Sequence, residues 1–158
     1  MKDERISRFP ERKRNRLLNY DYSSCNYYFL TICSKNNKCI FGKPGDLNHF
    51  GSIVQSHIIK LQSYYNGITV DKFVVMPNHV HLIIRHDGKG DPDIPQIMAL
   101  FKTGVTNEIR KSNPGMNVWQ RSYHDHIIRS QSSYEKIWLY IHSNPQNWSK
   151  DRFYIETE

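Results

Sequence analysis

The sequence is poor in cysteine. Its 158 residues include only Cys25, Cys33 and Cys39, which form no CxxC pair and have no histidine at zinc-finger spacing. An odd number of isolated cysteines, in a chain without an export signal, indicates reduced thiols. The composition therefore disfavours disulfide-stapled secreted domains and zinc fingers.

Long apolar runs are also missing. No stretch approaches the roughly 20 apolar residues that a membrane-spanning helix requires. The first twenty residues are charged and lack the apolar centre of a secretory signal. We therefore expect no membrane partner and a cytoplasmic location. With 38% hydrophobic and 23% charged residues, the composition is that of a globular protein, and the length predicts one domain over residues 1–158.

Acidic residues are fewer than basic ones, 15 against 22, which gives a formal net charge of +7. Much of the excess lies in a basic N-terminal arm, residues 1–22. Lysine and arginine that neutralise phosphates release condensed counterions, so such an arm indicates a polyanionic partner. A solvated tail would fit the charge equally well. The candidate DNA-binding residues of the arm are Arg12, Lys13, Arg14 and Arg16.

Hydrophobic periodicity and turn residues predict an α+β protein. The order β-α-β-β-α-β is that of a ferredoxin-like antiparallel sheet, and one more helix follows at the C-terminal end. We expect serines 132 and 133 to cap this last helix and Pro145 to end it. The predicted strands are 27–33, 39–41, 68–76, 79–85 and 118–129, and the predicted helices are 50–65, 94–111 and 132–143.

Two histidines open the third strand of the predicted βαββαβ core, in the sequence MPNHVH. Residues two apart in a strand point to the same face, so His79 and His81 project together while Val80 enters the opposite layer. Two neutral imidazoles on one face can form half of a metal site. Exposed or hydrogen-bonded histidines are the alternative. The next residue on that face is Ile83, not a third histidine, which argues against the histidine-triad nucleotide hydrolases.

A tyrosine and an asparagine lie four residues apart on the last predicted helix, Tyr140 and Asn144. Residues at this spacing share a helix face. An amide oxygen near the hydroxyl could complete a cation site begun by the histidines. Taken alone, the pair is more typical of a half-buried core tyrosine and of an asparagine that ends the helix before proline.

These motifs together resemble a known family. MPNHVH followed by WQRSYHDHIIR and YIHSNPQNW is similar to the REP-associated tyrosine transposases, relatives of the single-tyrosine HUH transposases of insertion sequences. LLNYDY and TICSKNNKCIFG resemble the same group. The resemblance covers nearly the whole chain in order, including the helix that carries the tyrosine.

The resemblance implies a function and a set of roles. Tyr140 would attack a phosphodiester of single-stranded DNA that carries hairpins, forming a covalent phosphotyrosine during transposition. His79, His81 and Asn144 would bind Mg²⁺ or Mn²⁺. The insertion-sequence branch usually has glutamine where this chain has Asn144, which places the chain nearer the REP-associated branch. The protein would act as a monomer or a homodimer.

Three further basic residues are candidates for DNA contact. Arg121 and Arg129 lie in segments that resemble WQR and IIR stretches of the family and could line a DNA groove or be structural. Lys102 on the second helix could face DNA, although a lone helical lysine is usually solvated.

Other residues with suitable chemistry fit less well. Tyr123 and Tyr134 are rival nucleophiles by type, but neither has an amide or carboxylate four residues on. His124 and His126 flank Asp125, and we expect a satisfied polar pair rather than phosphate contacts.

Two alternatives to the transposase hypothesis remain from the sequence. One is a domesticated DNA-binding regulator of the same fold. The other is a metal-dependent phosphodiesterase that uses water and buries Tyr140 as core.

Overall fold

The computed structural model describes residues 16–90 and 92–156. Of the predicted DNA-binding arm, Arg16 is described, whereas Arg12, Lys13 and Arg14 lie outside the described residues.

A four-stranded antiparallel sheet organises the chain, and a two-stranded hairpin accompanies it. The four long strands follow the order β4-β5-β1-β6, in which the first and third strands of the βαββαβ sequence are central neighbours. This is the ferredoxin-like arrangement, so the predicted α+β class is confirmed. The elements are β1 (Asn26–Cys33), β2 (Gly42–Lys43), β3 (Asp46–Leu47), α1 (His49–Tyr64), β4 (Ile68–Val75), β5 (His79–His86), α2 (Ile94–Ser112), β6 (His124–Ile128) and α3 (Gln131–Ser143).

Helices α1 and α2 cover one face of the sheet. Alternate side chains of the central strands enter this layer because side chains alternate between faces along a strand. The layer is apolar throughout and forms the main core. Its fully buried members include Leu30, Ile32, Val80, Leu82, Ile84, Ile58, Ile97 and Met98.

Helix α3 covers part of the opposite face. A smaller apolar cluster holds it there, built on Ile83, Ile128 and Ile141 with Phe29 and Trp138 at its border. The rest of this face is polar. The strand register places Thr31 opposite His81 and Cys33 opposite His79, so the histidine pair lies on the α3 side.

The helix starts have clear local causes. Asn48 caps α1 by accepting from the N–H of Gly51 at 2.9 Å. Asp93 and Gln96 form a reciprocal capping box at the start of α2, which satisfies two otherwise unpaired N–H groups. Helix α3 is capped by Ser130, which accepts from the N–H of Ser133, and not by serines 132 and 133 as the sequence predicted.

Two predicted strands are wrong in extent. Residues 39–41 form no strand, because Gly42, at φ +109, turns the chain into the β2–β3 hairpin. A Cβ at Gly42 would lie 2.5 Å from the backbone nitrogen of Asn48. The last strand begins at residue 124 and not at 118. Before residue 124, Trp119 forms only an isolated β-bridge with Ser34. The chain bulges between this bridge and the regular pairing of β1 with β6, which begins where His124 lies opposite Thr31.

The predicted end of the last helix is confirmed, since α3 ends at Ser143 before Pro145. Asn144 keeps right-handed α geometry, and a separate 3-10 helix follows over Pro145–Lys150. Within residues 16–90 and 92–156, no helix combines the length and apolar character needed to cross a bilayer.

Candidate metal and nucleophile site

The two histidines of MPNHVH lie at the start of β5 and point to the same side. His79 and His81 are both buried, and their ring centroids are 4.5 Å apart. Val80 is buried in the main core on the other face. The predicted division of this motif between two layers is therefore confirmed.

Asn78 fixes the orientation of His79. Its amide nitrogen donates to the carbonyl oxygens of Asn37 (3.0 Å) and Phe153 (2.8 Å), so its Oδ1 is left as an acceptor. His79 Nδ1 lies 2.8 Å from that oxygen and donates to it. The lone pair of a neutral imidazole then resides on Nε2. The side chain of Asn78, directly before His79, thus determines which nitrogen of His79 is available to a ligand.

His81 is held in a similar way by the neighbouring strand. Its Nδ1 lies 2.8 Å from Thr31 Oγ1, and both side chains are buried. The other ring nitrogen, Nε2, lies 3.4 Å from the hydroxyl of Tyr140. The β1–β5 register therefore aims one nitrogen of His81 at the predicted nucleophile.

Both imidazoles are uncharged near neutral pH. Burial lowers the pKa of His79 to about 4, against the opposing effect of Asp151. Burial, and then the neighbouring His79, lower the pKa of His81 well below its ordinary value. Desolvation disfavours the charged form of histidine. Both side chains are thus in the protonation state that a metal ligand needs.

Asp151 completes the cluster, and the sequence did not predict it. Its Oδ2 accepts from Asn144 Nδ2 at 2.7 Å and from the Tyr140 hydroxyl at 3.5 Å. The same oxygen lies 3.8 Å from His79 Nε2, and both of these side chains are fully buried. One ligand atom from each of His79, His81 and Asp151 falls within 4.8 Å of the others.

The segment after α3 brings Asp151 to the histidines. The 3-10 helix Pro145–Lys150 turns the chain, and Asp151 ends it. Phe153 then packs beside His79, with ring centroids 4.6 Å apart, and its backbone N–H donates to Asp151 Oδ1. No spacing rule signals this carboxylate, because its approach depends on the turn formed by the 3-10 helix after α3.

Asn144 lies in the cluster in an arrangement that differs from the prediction. The predicted neighbour of the Tyr140 hydroxyl was the amide oxygen. Instead the amide nitrogen bonds Asp151, while Oδ1 is buried with no hydrogen-bond partner among the described residues. The asparagine thus holds the carboxylate and has one unpaired buried oxygen.

The donor set fits a divalent cation. His79 Nε2 and Asn144 Oδ1 are buried and unpaired, and a carboxylate oxygen faces the His79 lone pair without a proton between them. Buried acceptors that face one another are costly unless a donor or a cation satisfies them. Two imidazoles, one carboxylate and one amide oxygen form a mixed nitrogen and oxygen set, which suits Mn²⁺ somewhat better than Mg²⁺.

Tyr140 is the accessible member of the cluster. It is 39% exposed and borders a cavity of about 290 Å³ that Thr31, His81, His124 and Arg152 also line. Burial, and then the charge of Asp151, raise the pKa of its hydroxyl. The group is therefore a neutral phenol that a ligand in the cavity can reach.

The rival tyrosines are engaged elsewhere. Tyr123 is buried under the guanidinium of Arg16, and burial raises its pKa to about 12. The hydroxyl of Tyr134 donates to Asp71. Neither approaches the histidine pair.

The predicted DNA-binding residues are spread over the surface. Lys102 and Arg121 line a separate cavity, and Arg129 borders two others. The expected satisfied pair of His124 and His126 is wrong, because both side chains are exposed. His124 instead lines the Tyr140 cavity, since the register places it opposite Thr31.

Comparison with known proteins identifies the family. A family model described as Transposase IS200 like matches residues 21–144, a range that includes the histidine motif, the tyrosine and Asn144. The chain belongs to the IS200-like transposase family. Membership connects it with DNA transposition, and the resemblance noticed in the motifs is confirmed.

Relatives cover most of the chain. A protein of Haemophilus influenzae named only as an uncharacterized protein is 36% identical over 169 residues, which cover 92% of this chain and 94% of the relative. A REP-associated tyrosine transposase bound to a REP hairpin matches with a TM-score of 0.66 and 23% identity, over 84% of this chain and 73% of that one. A putative transposase from Deinococcus radiodurans matches with a TM-score of 0.54 and 19% identity, over 81% and 95%. These two structures share the fold.

Proposed function

We propose that this chain cleaves and rejoins single-stranded DNA through a covalent phosphotyrosine on Tyr140. The observation that carries the proposal is the placement of its hydroxyl, 3.4 Å from His81 Nε2 and 3.5 Å from Asp151 Oδ2, at the edge of an open cavity. A nucleophile beside a metal-type donor set, in a transposase family, fits phosphoryl transfer.

The chemistry follows from the protonation states. Because the pKa of Tyr140 is raised, the phenol keeps its proton until a phosphodiester is present. Its oxygen then forms a bond to phosphorus as the bond to one DNA end breaks. The phenolic proton passes to the neighbouring carboxylate oxygen, Asp151 Oδ2, and the departing DNA end takes up a proton from water as a free hydroxyl. The phosphotyrosine conserves the energy of the broken phosphodiester bond. Attack on it by a free DNA hydroxyl therefore rejoins the strands and releases Tyr140.

His79, His81 and Asp151, with Asn144 beside them, would hold Mg²⁺ or Mn²⁺, which would polarise the scissile phosphate as a Lewis acid. Asn78 and Thr31 orient the two imidazoles through their Nδ1 atoms. Such outer contacts fix the ligand nitrogen.

The DNA partner is proposed to be single-stranded DNA with hairpins. The REP-associated transposase that shares this fold is described as bound to a REP hairpin. Arg152, which lines the Tyr140 cavity, supplies a cation for a phosphate there. Since Tyr140 and His81 meet within one chain, a monomer has a complete site.

A trapping experiment tests the tyrosine. The protein is incubated with labelled hairpin-containing single-stranded DNA and Mn²⁺, and adducts that resist denaturation are resolved on a gel. We expect an adduct for the wild type and none for Tyr140→Phe. Tyr134→Phe is the matched control, because this tyrosine lies on the same helix with its hydroxyl bound to Asp71.

The outcomes separate the alternatives. DNA cleavage without an adduct would support a water-using phosphodiesterase. DNA binding without cleavage, whichever divalent cation is added, would support a DNA-binding regulator. A mixture of Tyr140→Phe and His81→Ala proteins tests for shared sites, and recovered activity would contradict use of Tyr140 within its own chain.

A further inference from the structure

The departing DNA end needs a proton, and the cluster around the histidine pair is on the wrong side to donate it. In the proposed reaction Asp151 Oδ2, 3.5 Å from the Tyr140 hydroxyl, receives the phenolic proton. The bond that breaks lies on the other side of the phosphorus, because the attacking and departing oxygens are roughly in line during phosphoryl transfer. A donor for the departing oxygen must therefore lie across the cavity from Tyr140 and Asp151.

The side chains that line the Tyr140 cavity leave one candidate for this donor. The lining includes four titratable side chains: Tyr140, His81, Arg152 and His124. Tyr140 is the proposed nucleophile, and the free nitrogen of His81 points at it. Arginine keeps its proton in proteins, so Arg152 can bind a phosphate but cannot transfer a proton to it. Histidine ordinarily changes its charge between pH 5 and 8, which leaves His124 as the donor.

The strand register places His124 at the far wall of this cavity. Thr31 of the central strand β1 lies opposite His81 of β5 on one side and opposite His124 of β6 on the other. Residues directly opposite each other in antiparallel strands share a face, so all three lie on the α3 side. Adjacent strands are about 4.8 Å apart, and the two ends of this row are therefore roughly 10 Å apart at the backbone. This span leaves room for a phosphodiester between the two imidazoles.

The imidazole of His124 is free to exchange protons. The part of the chain that the structure describes forms no hydrogen bond, ion pair or ring contact with it. The side chain is exposed, so solvent can return a proton to it after each transfer. The Nδ1 atoms of His79 and His81 are, in contrast, both engaged, and both of these rings are buried. The three histidines of this face therefore divide into two ligand-type rings and one ring suited to acid–base chemistry.

We propose that His124 is the general acid for the departing DNA oxygen and the general base for the hydroxyl that attacks during rejoining. This inference rests on the proposed function. As the bond from Tyr140 to phosphorus forms and the bond to the departing oxygen breaks, protonated His124 gives its proton to that oxygen and becomes neutral. A proton from water then recharges the imidazole. In rejoining, neutral His124 takes the proton of the attacking hydroxyl, and Asp151 returns its proton to the phenolate oxygen as Tyr140 leaves.

His126 provides a matched comparison on the same strand. It lies two residues after His124, so both side chains point to the same face, and both are exposed. The register places His126 opposite Phe29, and it lines a different cavity together with Leu17 and Arg129. Truncation of either histidine removes an exposed imidazole from β6, but of the two only His124 borders the Tyr140 cavity.

A substrate with sulfur in place of the departing oxygen tests the proposal. A thiolate departs without being protonated, because thiols are far more acidic than alcohols. The linkage that the wild type cleaves in hairpin-containing single-stranded DNA is mapped first, and end labels show which DNA end departs. The rate of adduct formation in Mn²⁺ is then measured for that linkage with its ordinary departing oxygen and with sulfur in its place.

The loss caused by removing His124 should depend on the departing atom. We expect His124→Ala to slow adduct formation on ordinary DNA roughly a hundredfold or more, as for other general acids. With departing sulfur the same variant should be slowed less than about threefold, because no proton is then required. His126→Ala should form adducts on both substrates at rates within about threefold of the wild type.

Each contrary outcome has a distinct meaning. Equal slowing of His124→Ala on both substrates would assign His124 to phosphate binding and overturn the proposal. An unchanged rate of His124→Ala on ordinary DNA, or an equal and equally rescued loss in His126→Ala, would also overturn it. If the wild type forms no adduct on either substrate, the proposed function fails and this inference fails with it. A wild-type adduct with unchanged rates in His124→Ala contradicts this inference alone.

Discussion

The two faces of the sheet differ in what the same strands contribute to them. On β5, Val80 and Leu82 enter the apolar layer under α1 and α2, whereas His79 and His81 turn to the α3 side. On β1, Leu30 and Ile32 likewise enter the apolar layer, whereas Thr31 between them faces His81 on the α3 side. The period of two residues along a strand lets one segment supply stability on one face and chemistry on the other.

The two faces are also closed differently. Two helices of 16 and 19 residues cover the apolar face. The polar face is covered by α3, of 13 residues, and by the turn that carries Asp151. The apolar cluster under α3 is small, and elements with few buried apolar contacts open most easily. We infer that packing on the α1–α2 face provides most of the stability of the fold, and that the α3 face is the one that opens to admit ligands.

The largest expected effect is a difference in stability between truncations of two neighbouring residues of β5. Leu82→Ala is expected to lower the free energy of unfolding by about 3 kcal/mol, because it leaves a cavity in the main core. His81→Ala, equally buried on the other face, should cost about 1 kcal/mol, since a desolvated imidazole is lost together with its hydrogen bond. Urea denaturation measures both. Equal losses would contradict the division between faces.

Metal binding should stabilise the whole fold, but only through the histidines on the α3 face. Mn²⁺ at a hundred times its dissociation constant is expected to raise the free energy of unfolding by about 2.7 kcal/mol. His79→Ala should abolish this increment. Ile58→Ala, a core truncation on α1, should retain it, because distant sites act additively. Thermal unfolding with and without Mn²⁺ provides the measurement, and an increment that survives in His79→Ala would exclude the proposed ligand.

Truncation of Asn78 should weaken metal binding, because this side chain orients His79. Asn78→Ala removes the acceptor of His79 Nδ1 and the donor to Phe153. We expect Mn²⁺ affinity to fall roughly tenfold to a hundredfold, as for other residues that orient metal ligands. Asn66→Ala, at an exposed asparagine, is the control. Titration calorimetry that finds unchanged affinity would show that Asn78 acts on folding only.

The rates at which two cysteines are alkylated should differ, because one thiol is buried on the α3 face and the other is exposed. Cys33 is buried opposite His79, and burial raises the pKa of its thiol to about 11. Cys25 is exposed. Because the thiolate is the reacting form, iodoacetamide should modify Cys25 much faster than Cys33, as followed by peptide mass spectrometry. Similar rates in the folded protein would mean that the α3 face opens readily.

Much of the site could be predicted from local pattern. The alternation of side chains placed His79 and His81 on one face, and helical spacing placed Tyr140 and Asn144 on one side of α3. The orientation of the Asn144 amide was beyond such rules, because it depends on a carboxylate from a different segment. The predicted strand at 39–41 failed because the positive φ of Gly42 ends the extended run.

The sequence alone determined the order of strands and helices, the paired histidines and the family, since these depend on periodicity and on motifs within short segments. Tertiary structure decided which residue completes the donor set. Asp151 reaches the histidines because a 3-10 turn after Pro145 folds the chain back and Asn78 binds the Phe153 carbonyl. It also decided that four cations from three segments, Lys35, Lys102, Arg110 and Arg121, line one cavity. Contacts between distant segments depend on how the elements pack, which no local pattern records.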